Sequence, residues 1–131
     1  FPCGPALEKL AEDSAESYSF PRVPVKDCMC NLSGVQNQAE HRLADGVSPC
    51  DIAAYVLDYI AAGLCAMARD ARAAYGELPI VFAGGVMSNR RIRAQLEKLG
   101  DCRFAEPAFS ADNAAGTALL CRRKYLGEHN G

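Results

Sequence analysis

Ile80-Val81-Phe82-Ala83-Gly84-Gly85-Val86-Met87-Ser88-Asn89-Arg90-Arg91 is the stretch on which the reading of this 131-residue sequence turns. Ile80 to Ala83 is apolar, β-branched and aromatic, which suits a short buried strand. Two glycines end it. Ser88 or Asn89 then stands where a helix cap is needed, and Ile92, Leu96 and Leu99 recur at helical spacing. Strand, glycine turn and helix N-terminus together suit a phosphate or a nucleoside. Glycine lets a ligand approach the backbone, and the first helical turn offers N–H groups and a partial positive charge. A plain turn is the bland alternative, and the residues alone leave both readings open.

Upstream, Ser48 is placed to cap a helix, Pro49 fits its first position and Asp51 completes an acidic capping box. Ile52, Val56, Tyr59 or Ile60, Gly63, Met67, Ala71 and Ala74 follow at spacings of three and four, and Gly76 closes the helix. Val56, Tyr59 and Met67 read as core rather than as a cofactor box. Further upstream, Gly4-Pro5 opens a helix with Ala6, Leu7, Leu10 and Ala11 on one face, ending near Asp13. Short extended pieces are expected around Phe20 and from Cys28 to Leu32, restricted by Pro21 and Pro24. Ser33-Gly34 opens a helix over Val35 to Leu43, closed by Asp45-Gly46.

Downstream, the helix after the glycine turn runs to Leu99 and stops at Gly100. Cys102 to Glu106 reads as a second strand, ended by Pro107. Ser110 then caps a last helix from Asp112 to Tyr125. Ala114, Ala115, Gly116, Ala118, Leu119 and Leu120 make its first half apolar almost all round, so it is expected to be buried. Arg122-Arg123-Lys124 reads as ordinary helix-end charge. Gly127 to Gly131 is expected to be a flexible tail. The order helix, strand, helix, strand, helix predicts a parallel strand pair. Two strands are few for a finished α/β sheet, so the expectation is a helix-rich α/β partial domain over residues 1–131 with a small, incomplete sheet.

The net charge is −2 and half of the residues are hydrophobic, an ordinary globular composition. Charge is uneven: residues 1–88 carry 6 basic and 11 acidic side chains, and residues 89–131 carry 8 and 5. That excess tolerates an anionic ligand without announcing a nucleic-acid binder. Seven scattered cysteines argue for reduced thiols in a cytoplasmic protein. Cys28 and Cys30, one residue apart, make a poor zinc pattern. No apolar run reads as membrane length, so no membrane partner is expected. The opening at Phe1-Pro2 reads as the middle of a longer protein.

Three pieces then point one way. Phe1-Pro2-Cys3-Gly4-Pro5, Ala83-Gly84-Gly85-Val86-Met87-Ser88-Asn89-Arg90-Arg91-Ile92-Arg93 and Ser110-Ala111-Asp112-Asn113-Ala114-Ala115 resemble consecutive motifs of the tRNA threonylcarbamoyladenosine transferase family. That family is also labelled O-sialoglycoprotein endopeptidase or glycoprotease. The resemblance covers essentially the whole chain but only the C-terminal part of a family member. Asn31-Leu32-Ser33-Gly34 looks closest to a divergent, clostridial-type branch. The resemblance implies an actin-like ATPase fold of the ribonuclease-H-like kind. It implies that Gly4 approaches a bound adenylate, that Gly84 and Gly85 shape the wall of the site, and that Asn89 holds the adenosine part. It implies that Asp112 ligates a catalytic metal, iron or zinc. Its partners would be tRNA and threonylcarbamoyl-adenylate.

Departures from the family pattern matter as well. The two histidines, four apart, that complete the family's metal site have no counterpart here; His41 reads as a surface residue. Cys3 stands for a glycine and Ala111 for a threonine. The chain alone is therefore expected to be inactive. A non-catalytic nucleotide-binding or dimerisation subunit of the same superfamily is the alternative, with possible self-association. A metallopeptidase ranks last, because no His-Glu-x-x-His motif is present. Bland roles compete at each site: a helix cap for Asn89, a first-turn carboxylate for Asp112, and a solvated face or a phosphate contact for Arg90, Arg91 and Arg93.

Overall fold

The computed structural model describes residues 3–15, 20–106 and 114–127. Among them the order is α1 (Cys3–Glu12), a hairpin of β1 (Val25–Lys26) and β2 (Met29–Cys30), α2 (Ser33–Ala44), α3 (Pro49–Tyr75), β3 (Ile80–Phe82), a 3-10 turn (Gly85–Ser88), α4 (Arg90–Leu96), a 3-10 turn (Glu97–Leu99), β4 (Cys102–Phe104) and α5 (Ala114–Leu126). This is the expected helix-rich α/β arrangement with small sheets.

α3 organises the rest. It runs for 27 residues, with Pro49 in its first turn and Gly76 at its end, a length of about 40 Å. Gly76 takes φ +90°, which suits glycine, and its N–H donates to the Arg72 carbonyl at 2.8 Å. Ser48 holds the cap position, but its hydroxyl makes no capping bond; it donates to Cys50 Sγ at 3.2 Å. The expected capping box is thus not built around Ser48. Asp51 instead accepts a 2.6 Å bond from Ser14, which ties the chain after α1 to the first turn of α3.

The core sits on both sides of α3. Ala53, Leu57, Ala61 and Cys65 recur every four residues and meet Ala11 of α1, Met87, and Ile92 and Leu96 of α4. Ile92 and Leu96 are fully buried, each contributing about 2 kcal/mol of transfer free energy. On another face Tyr55, Tyr59 and Ala62 pack with Val23, Cys30 and Val35. Small alanines let the neighbouring elements approach the helix axis closely. The apolar stripe expected through Val56 and Met67 is only half-buried; the deeply buried face is the alanine-rich one. Side-chain bulk at Ile52, Val56 and Met67 suits the edges of the contact instead.

The β1–β2 hairpin is antiparallel, pairing Val25 with Cys30 and Lys26 with Met29. Its two-residue turn places Asp27 at φ +53° and Cys28 at φ +58°, the primed turn that matches strand twist. The Cys28 N–H donates to Asp70 Oδ2 at 2.7 Å, pinning this strained turn to α3. Burial, with the Asp70 carboxylate beside it, pushes the Cys28 thiol up from its ordinary range. Phe20 lies in no strand, contrary to the expected extended piece. α2 buries none of its residues. It is held by Tyr55, whose hydroxyl donates to Gln38 and whose ring lies 3.9 Å from the Arg42 guanidinium.

β3 and β4 pair in parallel, Ile80 with Cys102, Val81 with Arg103 and Phe82 with Phe104. Phe82 and Phe104 stack at 5.4 Å on the inner face. Val81 is 69% exposed, so β3 is covered on one face and is not the buried strand its composition suggests.

α5 departs furthest from expectation. Leu119 is 57% exposed, Leu120 65% and Tyr125 89%. The helix read as buried is bare among the described residues, because apolar composition supplies no partner. Its basic end, Arg122 to Lys124, is exposed as expected. The expectation that nothing reaches membrane length also needs amending. α3 is long and apolar enough to cross a membrane by length and composition, although 56% of its most apolar window is buried inside the fold. A buried aspartate, Asp58, lies in the middle of that helix, and α3 serves here as the core.

Candidate functional site

The glycine turn forms where the sequence places it. β3 ends at Phe82, and Gly84 takes φ +111° and ψ 159°, a conformation closed to side-chain-bearing residues. The Met87 N–H donates to the Gly84 carbonyl at 3.0 Å, tightening a 3-10 turn. Met87 is buried and pins that turn to the α3 core. Asn89 has φ −69° and ψ 121°, the extended backbone of an N-cap, and its Oδ1 accepts from the Ile92 N–H at 3.0 Å. Asn89, not Ser88, is therefore the cap.

Asn89 is 9% exposed, and among the described residues its Nδ2 donors meet no acceptor. The cap uses only its oxygen, so two amide donors stay available beside the turn. Gly85 has an ordinary φ and its position has nothing within 4 Å of an added Cβ. Neither strain nor packing within the fold asks for glycine there. An added Cβ at Gly4 likewise meets nothing within 4 Å. Gly4 lies in the first turn of α1, so no close contact within the fold asks for glycine there either.

Glu8 links these pieces. Its Oε1 accepts from the Arg90 N–H at 2.7 Å, seating α1 on the N-terminus of α4. Gly4 stands one turn before Glu8 on the same face of α1. Gly4, Gly84, Gly85 and Asn89 thus belong to adjoining elements. A carboxylate already occupies the first N–H of α4, and Asn89 occupies another. That arrangement disfavours a phosphate on the helix axis, where like charge would meet Glu8. It suits the neutral edge of a base or ribose, for which an amide supplies directional donors.

The three arginines take different roles. Arg91 forms a two-pronged ion pair with Asp58, Nε to Oδ1 at 2.7 Å and Nη2 to Oδ2 at 2.8 Å. Arg93 lies over the Phe104 ring and pairs with Glu97 at 2.8 Å. Arg90 is exposed and, with Arg91, Glu8 and Glu12, lines a cleft of about 140 Å³ between α1 and α4. Arg91 thus has a structural role: it fixes α4 on α3. Glu8 and Asp58 went unnoticed in the sequence. A lone acid within the apolar run from Ile52 to Leu64 was the one local signal for Asp58.

Asp112, Ala111 and Ser110 lie outside the described residues, as do Phe1 and Pro2. Among the described residues no three of histidine, cysteine, aspartate and glutamate converge to hold a metal ion. Those residues therefore do not by themselves fit the iron or zinc that the resemblance implies. His41 is exposed on α2, as expected.

Comparison with known proteins follows the same path. The profile of the tRNA N6-adenosine threonylcarbamoyltransferase family matches residues 1–119. A protein of that name from Thermus thermophilus is 30% identical over 129 residues, covering 95% of this chain and 40% of the relative. One from Caulobacter vibrioides is 37% identical over 139 residues, covering 91% and 37%. A "Probable bifunctional tRNA threonylcarbamoyladenosine biosynthesis protein" from Halobacterium salinarum is 35% identical over 124 residues, covering 91% and 23%. The chain spans two fifths or less of the length of these curated relatives.

Proposed function

Because the chain belongs to the tRNA N6-adenosine threonylcarbamoyltransferase family, we propose that it forms the C-terminal part of a cytoplasmic transferase acting on tRNA. The whole protein moves a threonylcarbamoyl group from its adenylate to the exocyclic amine of a tRNA adenosine. This part, within an actin-like ATPase domain, contributes the wall against which the adenosine of the adenylate lies. Asn89 donates through Nδ2 to the base or ribose. Gly84 and Gly85 shape the wall beside it, and Gly4 approaches it from α1. Asp112 supplies one carboxylate to a divalent metal whose further ligands come from outside the described residues. Alone, the chain is inactive.

The observation that carries this reading is the pairing of Asn89 and Gly85. Asn89 spends its oxygen on the helix and keeps its amide nitrogen, while Gly85 has open space where the fold makes no demand for glycine. Both lie in the stretch that the family profile matches.

The test separates cap from ligand contact. Asn89→Ser keeps a capping oxygen and removes the amide donors. In the full-length protein it should weaken adenylate binding by about 1–3 kcal/mol, the size of a lost buried polar contact, while costing only about a few tenths of a kcal/mol of stability. Adenylate affinity equal to that of the parent would remove Asn89 from the site. Mass spectrometry of tRNA nucleosides from cells lacking their own transferase checks the reaction. The full-length protein should restore threonylcarbamoyladenosine and the 131-residue chain should not.

A further inference from the structure

A second cleft, of about 390 Å³, opens at the far end of α4, lined by Arg69, Arg72, Lys98, Leu99 and Glu77. Three cations face one carboxylate there, Arg69 and Arg72 from α3 and Lys98 from the turn after α4. Arg72 is the fixed member. Its side chain is 14% exposed, and it donates through Nη1 to the Leu99 carbonyl at 2.7 Å and through Nη2 to the Gly100 carbonyl at 2.6 Å. That use is structural: it closes the turn after α4 against the end of α3. The Arg72 Nε, however, is buried without a hydrogen-bond partner. Glu77, 88% exposed, reaches only to 3.8 Å from it, an ion pair too long to be a hydrogen bond.

Arg69 and Lys98 have no such structural duty. Arg69 is exposed and, among the described residues, its guanidinium makes no hydrogen bond or ion pair. Lys98 is exposed and donates only to the Gln95 side chain, at 2.8 Å. Two unneutralised cations flank a third whose remaining donor already draws a carboxylate toward it. Helix-end capping accounts for Arg72 and leaves Arg69 and Lys98 unexplained.

We propose that this cleft binds a phosphodiester of an RNA strand, with Arg69 and Lys98 as the contacts and Arg72 as their positioning residue. Glu77 swings out as the phosphate enters. The cleft lies about 15 Å along α4 and its 3-10 extension from Asn89. It therefore grips backbone while another part of the protein handles the adenosine. The choice of RNA rests on the transferase reading above; the anion chemistry of the cleft does not.

The experiment titrates a labelled anticodon stem-loop RNA with the full-length protein and with its Arg69→Ala/Lys98→Ala variant, across a range of salt concentrations. Removing two phosphate contacts should lower the magnitude of the log–log salt slope by about 1.4 and weaken binding about 25-fold at 0.1 M salt. Arg122→Ala/Arg123→Ala, which removes two cations from α5, should change affinity less than about twofold, on the same electrostatic argument. Equal losses in the two variants, or none in the first, would overturn the proposal. So would displacement of the RNA by millimolar adenosine monophosphate, which would make the cleft a small-ligand site. Failure here leaves the Asn89→Ser adenylate result untouched, so the two readings fall separately.

Discussion

α3 and the first half of α5 both read as buried helices in the sequence and meet opposite fates. α3 buries eleven residues, Ala53 to Ala68, between α1, α4, α2 and the hairpin. α5 leaves Leu119, Leu120, Tyr125 and Leu126 more than half exposed. Composition sets what a helix gains from burial; neighbours decide whether it gains it. α3 has partners at every turn, held by Asp58–Arg91, Asp70–Cys28 and Asp51–Ser14. α5 has none of comparable extent among the described residues.

The sharpest way to break the contrast is to truncate matched leucines. Leu96→Ala, at the contact of α4 with α3, should cost about 3–4 kcal/mol in chemical denaturation. Leu120→Ala on α5 should stay within about 0.5 kcal/mol. Equal costs would mean that α5 is packed in solution. Arg91→Met comes next. It strips the counter-charge from Asp58, which is 5% exposed, and should cost about 3 kcal/mol, at the lower end for a broken buried pair because Arg91 itself is a third exposed. Arg123→Met on α5 should cost nothing measurable by the same assay.

Asn89→Ala should cost about 1 kcal/mol through the lost cap, whereas Asn89→Ser should cost a few tenths. The smallest effect is at Cys65. Burial pushes its thiol above the ordinary value of 9.0, with Arg69 partly offsetting. The folded state then holds the proton more tightly than the unfolded one. Stability is unaffected below pH 9 and declines as pH rises past it. Denaturation at graded alkaline pH should show this decline and Cys65→Ser should flatten it. Iodoacetamide at neutral pH should label exposed Cys3 and Cys121 before Cys65.

Much of the fold was legible because its signals are local. Pro49 and Gly76 bound α3, Gly84 and Asn89 bound the turn, and the parallel pairing followed from element order. Burial was less legible. The apolar faces of β3 and α5 look like core residues in any short window, and only tertiary neighbours distinguish them. The contacts that shape the candidate site were hidden by distance along the chain. Glu8 meets Arg90 across 82 positions, and Asp58 meets Arg91 across 33. At Asn89 the cap role was readable from its place before Ile92, while the idle amide nitrogen required coordinates. Asp112, the residue expected to hold metal, lies outside the described residues.

The central claim is that the turn from Gly84 to Asn89 faces an adenosine. Titrating adenosine monophosphate into the isotope-labelled chain and following its amide resonances tests this directly. The account predicts shifts at Gly84, Gly85 and the Asn89 side-chain amide, with Gly46 and Gly100 unmoved. Shifts confined to Arg69, Arg72 and Lys98, or none at Asn89, would contradict it.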